Sequence, residues 1–194
     1  MYSIDPKYQH QLTEEYFDDT VLEDQWQDEV YQYARAVYDR NQCRSVLDFG
    51  CGSGYKLIKY FSDADTLGVD LAPTVNFLTH KYPGKKWREL PGLTVSVDIF
   101  IAADVIEHLL DPDQLISTIK RVRPQHIILS TPDRNLTVKN WGYPALGPPT
   151  NRHHVREWTF DEFRDYIGGH FHVQDHCITR WDQCTQMIYA QLKN

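Results

Sequence analysis

Residues 46–54, Val-Leu-Asp-Phe-Gly-Cys-Gly-Ser-Gly, begin as an apolar strand and break into three alternating glycines. The next residues, Tyr55–Phe61, read as a helix. A strand, a glycine turn and a helix in that order make a pocket for a nucleotide-type cofactor. Gly50, Gly52 and Gly54 let backbone approach a ligand closely, and the helix start offers unpaired N–H groups. Asp48 stands at the strand end and Cys51 inside the turn. Asp70 closes the next short strand, Thr66–Asp70, with Leu71 after it. A carboxylate there accepts two hydrogen bonds from ribose hydroxyls, or else starts a turn. Further on stand His153 and His154, followed by Glu157. A neutral imidazole can take a proton from a hydroxyl or amine, or it can pin a loop by hydrogen bonds.

These groups need a scaffold, and the apolar pattern supplies one. Strands are expected at Ser45–Phe49, Thr66–Asp70, Lys86–Leu90, Val97–Ala102 and His126–Ser130. Helices are expected from Val21 to about Arg40, where Trp26, Val30, Tyr33 and Val37 recur at three and four, and at Lys56–Phe61, Thr74–Tyr82 and Asp113–Val122. Pro83-Gly84 and Pro91-Gly92 punctuate the pattern. Strands alternating with helices imply parallel pairing in a three-layer α/β sandwich, and runs such as Ile99–Ala102 suit a sheet covered on both faces.

Residues 1–20, with Tyr2, Tyr8, Tyr16 and Phe17, read as an arm or short helix outside the core. Tyr8, Tyr16 and Trp26 either lid the cofactor or pack as ordinary residues of an N-terminal helix. Residues 131–158 are rich in Pro and Gly and read as a long functional loop. Thr159 and Glu162 form a capping box opening a helix to Ile167, and Gly168-Gly169 ends it. Phe171–Ile178 and Thr185–Leu192 read as a terminal hairpin.

Composition narrows the function. The 194 residues fit one domain, and 41% hydrophobic with 24% charged residues is ordinary for a globular chain. A net charge of −7 argues against broad contact with nucleic acid or an anionic membrane. No apolar run is long enough to span a bilayer, and the N-terminus lacks a signal-peptide pattern. Cys43, Cys51, Cys177 and Cys184 show no close pairing and read as reduced thiols of a cytoplasmic protein. His170, His172, His176 and Cys177 cluster in sequence but lack zinc-site spacing, so no metal site is assigned.

The form Asp48-x-Gly50-x-Gly52-x-Gly54, the acid Asp70, and Asp104-Val-Ile-Glu107-His108-Leu109 at the end of a strand resemble the class I S-adenosylmethionine-dependent methyltransferase family over residues 43–130. The glycine spacing differs from that of nicotinamide enzymes. The resemblance implies a Rossmann-like methyltransferase fold, a mostly parallel seven-stranded sheet with a C-terminal antiparallel hairpin, and S-adenosylmethionine as cofactor. It carries over Asp48, Gly50, Cys51, Gly52, Gly54, Asp70, Leu71, Glu89, Leu90 and Ala103 as cofactor-binding residues. Glu89 and Leu90 take the adenine side, and Asp48 either fixes the turn or meets the cofactor's ammonium. Asp104 falls at the acceptor mouth, while Glu107 and His108 begin a helix as capping groups or as catalytic ones.

Asn151-Arg-His-His-Val-Arg-Glu-Trp158 resembles a segment of small bacterial members, with His154 as first candidate base and His153 as second. One domain is expected over 1–194: arm and helix 1–42, cofactor core 43–130, acceptor-side loop 131–158, and helix with hairpin 159–194. The implied activity is methyl transfer to a small-molecule acceptor, O-methylation of a sugar or natural-product hydroxyl first. Trp141, Tyr143, Trp158 and Trp181 are stacking candidates. N-methylation of a small amine or peptide is the nearest alternative, and a non-catalytic S-adenosylmethionine-binding subunit is another. Oligomeric state is left open.

Overall fold

The computed structural model describes residues 4–90 and 95–193; Tyr2 and the Pro91-Gly92 break lie outside them. Among the described residues are seven strands: β1 (Ser45–Phe49), β2 (Asp65–Asp70), β3 (Lys86–Glu89), β4 (Ile99–Ala103), β5 (His126–Pro132), β6 (Phe171–Arg180) and β7 (Thr185–Leu192). They form one sheet in the order β3-β2-β1-β4-β5-β7-β6. The first five run parallel. β7 inserts antiparallel between β5 and β6, completing the expected hairpin. The winding direction reverses between β1 and β4, so the loops leaving these two strands diverge and open a crevice at their carboxyl ends.

Six α-helices among the described residues accompany the sheet: α1 (Asp28–Arg40), α2 (Tyr55–Phe61), α3 (Ala72–Lys81), α4 (Asp113–Val122), α5 (Arg134–Trp141) and α6 (Phe160–His170). β4 shows why there are three layers. Ile99 and Ile101 join Val46, Ile128 and Met187 on one face, under residues of α1 and α2. Phe100 and Ala102 join Leu47, Leu129 and Ile188 on the other, under residues of α4 and α6. Period-two side chains that are apolar on both faces require helices on both faces.

Four expectations are corrected. α1 starts at Asp28, not near Val21: the Asp24 carboxylate accepts from Trp26 N at 3.0 Å, and Gln27 turns to φ 61°. That local side-chain bond gives the backbone an alternative to the helix. α6 runs through Gly168-Gly169 to His170, because Phe163, Tyr166 and Ile167 anchor it to the core. Residues 131–158 are not all loop: β5 extends to Pro132, and Asp133 caps α5 by accepting from Leu136 N at 2.8 Å. Polar bonds hold α5 in place. Thr137 Oγ1 donates to Glu157 at 3.0 Å, and Arg134 donates to the Glu157 carbonyl and to Glu162.

The fourth correction concerns the arm. Its described residues form turns and no helix, yet Tyr8 is buried. Glu157 N donates to the Tyr8 hydroxyl at 2.8 Å, and the Arg134 guanidinium lies over its ring at 4.3 Å. Gln9 N and Gln11 N donate to the Leu146 and Val155 carbonyls. The arm is thus strapped to the segment between α5 and α6.

Candidate active site

The glycine turn is folded by its own amides. Gly50 N and Cys51 N reach the Val69 carbonyl of β2 at 2.8 and 3.3 Å, and Gly54 N reaches the Cys51 carbonyl at 2.9 Å. Gly52 N is left to donate to the Asp70 carboxylate at 2.9 Å, whose second oxygen accepts from Leu71 N at 2.7 Å. Gly52 holds φ +49°, and a Cβ there would lie 2.0 Å from an oxygen of Asp19. Both facts demand glycine. A Cβ on Gly50 would strike the Val105 side chain at 2.5 Å, so the loop after β4 packs directly on the turn. Cys51 is buried, and burial pushes its thiol well up, so it is an unreactive wall of the turn.

Asp19, carried by the arm, was missed by the sequence reading, since nothing in its surroundings marks it as near the turn. It brings a third carboxylate to Asp48 and Asp70. Burial, then the charge of Asp70, pushes Asp19 up to about 6. Burial pushes Asp48 up to about 7, against the hydrogen bonds of Tyr31 and with the charge of Asp70 adding. Burial raises Asp70 too. Asp48 is fully buried, and the Tyr31 hydroxyl of α1 donates to both its oxygens at 3.1 and 2.9 Å. Converging acids that raise one another make a cradle suited to a cation, and a sulfonium with an ammonium fits that demand. Tyr16, also on the arm, joins Thr74 of α3 at 2.9 Å above Asp70. Glu89 is exposed and pairs in register with Asp70 across β2–β3, while Leu90 borders a cleft of about 390 Å³ with Gln114, Ser117 and Arg121.

Across the crevice, Ala103 ends β4 and Asp104 takes φ 53°. Its two oxygens accept from Ser130 Oγ at 2.6 Å and Gln27 Nε2 at 2.8 Å. Ile106–His108 form a single 3₁₀ turn rather than the start of a longer helix. Glu107 is fully buried: Oε2 accepts from Thr131 at 3.1 Å, Oε1 has no hydrogen-bond partner, and burial with the charge of Asp104 pushes the carboxyl well up. His108 Nδ1 donates to the His153 carbonyl at 2.8 Å, and burial with the charge of His154 holds its imidazole down to about 4.

His154 Nδ1 bonds Glu157 at 3.0 Å, and Nε2 meets the Asn151 amide at 2.9 Å. The His108 and His154 rings stand edge to face at 5.0 Å. Glu107, His108 and His154 thereby each place one possible ligand atom within 4.8 Å of the others. His153 lies beside them, its ring 5.1 Å from Phe17 and its Nδ1 3.8 Å from Glu15.

Other candidates are not brought to the site. Trp158 is fully buried on Tyr166 at 4.9 Å and cannot stack on an acceptor. His176 packs flat on Phe160 at 3.6 Å, and His170 stands edge-on to Tyr166 at the end of α6. Trp26, Trp141 and Tyr143 do form an aromatic group, with centroids 6.3 and 5.4 Å apart in succession, and both tryptophans are exposed.

The family described as methyltransferase domain matches residues 8–181. A probable S-adenosylmethionine-dependent methyltransferase of Mycolicibacterium smegmatis is 35% identical over 164 residues, covering 76% of this chain. The chain spans 62% of that relative's length. Among solved structures, magnesium protoporphyrin IX methyltransferase from Synechocystis PCC 6803, with bound S-adenosylhomocysteine, superposes with a TM-score of 0.64 at 18% identity, covering 86% of this chain and 83% of that one. Small RNA methyltransferase HEN1 superposes at 0.63 and 19%, over 94% of this chain and 27% of that one. At such identities the likeness is one of fold. The chain belongs to the methyltransferase-domain family.

Proposed function

We propose that this chain methylates a hydroxyl of a small acceptor, a sugar or natural product, using S-adenosylmethionine. The observation that carries the reading is the acidic glycine cradle packed, through Val105, against half-buried Asp104 and the buried Glu107 and His154 at one sheet switch point. The cofactor, when bound, supplies an electrophilic methyl on a sulfonium sulfur. Asp70 holds the ribose hydroxyls, and Leu71 N keeps its carboxylate in place. The Gly50–Gly54 backbone lies along the methionine part, with Asp19 and Asp48 supplying negative field. Glu89 and Leu90 border the adenine, and Ala103 presents backbone.

Asp104 stands at the acceptor mouth. A hydroxyl must lose its proton to attack. Both ring nitrogens of His154 are engaged, so His154 orients the site and the proton falls to His153. In this reading residues 43–130 hold the cofactor and 131–158 cover the acceptor.

The exposed Trp26–Trp141–Tyr143 group supports a ring-shaped acceptor, since aromatic faces stack on apolar sugar faces. The net charge of −7 weighs against RNA. The described residues hold no helix long and apolar enough to cross a membrane. Free thiols at all four cysteines fit a cytoplasmic location.

The test is mass-spectrometric methylation of sugars and small hydroxyl compounds, small amines and an RNA oligonucleotide, beside calorimetric titration of S-adenosylhomocysteine. Wild type binds, Asp70→Ala binds at least about tenfold more weakly, and a hydroxyl compound is methylated. Equal binding by the variant would refute the cofactor site. Methylation of amines or RNA alone would refute the acceptor class.

A further inference from the structure

We infer that Glu107, His108 and His154 form a site for one divalent first-row transition-metal ion, on the acceptor side of the cofactor cradle. One ligand atom from each lies within 4.8 Å of the other two. The hydrogen bonds decide which atoms carry lone pairs. His108 Nδ1 meets a carbonyl and His154 Nδ1 meets a carboxylate, both pure acceptors, so each Nδ1 bears the proton and each Nε2 the lone pair. Glu107 Oε1 is buried and has no hydrogen bond at all. One donor atom of each side chain thus lies close to the other two, Glu107 Oε1 has no partner, and His154 Nε2 is held by the Asn151 amide alone.

The surroundings fit the same reading. Two imidazole nitrogens and one carboxylate oxygen are a donor set for ions such as Zn²⁺, Mn²⁺ or Fe²⁺, with coordination positions left open. Each donor is also held from behind: Glu157 on His154, the His153 carbonyl on His108, and Thr131 on Glu107. Such outer contacts orient metal ligands. Glu107 lies beside Asp104 and Glu157, and a divalent cation offsets that concentration of acid. Metal–donor bonds of about 2.0–2.2 Å span at most ~4.4 Å, so the donors close inward slightly on binding. The Asn151 amide, now on His154 Nε2, gives way. The methyl-transfer reading underlies the ion's role but not its binding. In an open position the ion would take the acceptor hydroxyl oxygen and ease passage of its proton to His153.

The test uses purified chain stripped with a chelator and titrated calorimetrically with Zn²⁺ and, separately, Mn²⁺. Crystals soaked in Mn²⁺ are measured for anomalous scattering. One ion per chain is expected, with an anomalous peak among Glu107, His108 and His154. Glu107→Gln and His108→Gln should each weaken binding at least about tenfold. Titration of S-adenosylhomocysteine into the same variants checks that they are folded. If a variant fails to fold, the wild-type peak decides. Absence of binding by wild type to both ions, a peak on other residues, or undiminished binding by folded variants would overturn the site. Loss of S-adenosylhomocysteine binding by wild type would instead count against the methyl-transfer reading and leave the metal result standing.

Discussion

Asp48 and Asp19 sit in the same acidic cradle but do different work. Asp48 rises from 3.8 to about 7 on folding, chiefly by burial. Between those pH values the folded chain keeps a proton that the unfolded chain has released, so this group's contribution to stability declines as pH rises through the window. Asp48→Asn, which still accepts from Tyr31, removes the decline. Urea titrations at pH 5 and pH 8 should show the variant gaining on wild type at the higher pH. No relative gain would show that Asp48 is ionised without cost. Asp19 rises to about 6 and is reached from the cofactor cradle. A bound cation favours its ionised form. S-adenosylmethionine affinity should therefore fall as pH drops through about 6, with proton release on binding visible as a buffer-dependent calorimetric heat. Asp19→Asn should flatten both effects.

The elements differ in how openly the chain declares them. α6 was legible from Thr159 and Glu162, and both halves of its capping box form, at 3.3 and 2.9 Å. Thr159→Ala should cost about 1 kcal/mol in chemical denaturation. Glu162→Ala should cost more, about 3 kcal/mol, because the same carboxylate pairs at 2.8 Å with Arg134, whose side chain is only 5% exposed. Equal losses would show the ion pair to be idle. α5 was not legible. It lacks an apolar stripe and stands on Thr137, Arg134 and Glu157, partners that no periodicity reveals. Gly168-Gly169 misled in the opposite sense: glycine's weak helix preference yields to the buried Phe163, Tyr166 and Ile167 of the same helix.

At the scale of the molecule, 27 acidic against 20 basic side chains leave a net charge of −7. An unstructured RNA oligonucleotide should show no saturable, salt-dependent binding by fluorescence anisotropy at physiological ionic strength; tight binding would place RNA among the acceptors. The alternation of strands and helices, the hairpin, and the glycine turn with Asp70 on the next strand were all determined by the sequence itself. Those features are local: strand, glycine turn, helix and the acid on the next strand lie within about two dozen residues, where steric and hydrogen-bonding rules act on neighbours. Only the tertiary structure decided that Asp19 enters the glycine turn, that Tyr31 holds Asp48, and that His154 meets Glu107 and His108. These groups come from segments distant in the chain, and what joins them is the sheet order and the strapping of the arm, which spacing along a sequence does not encode.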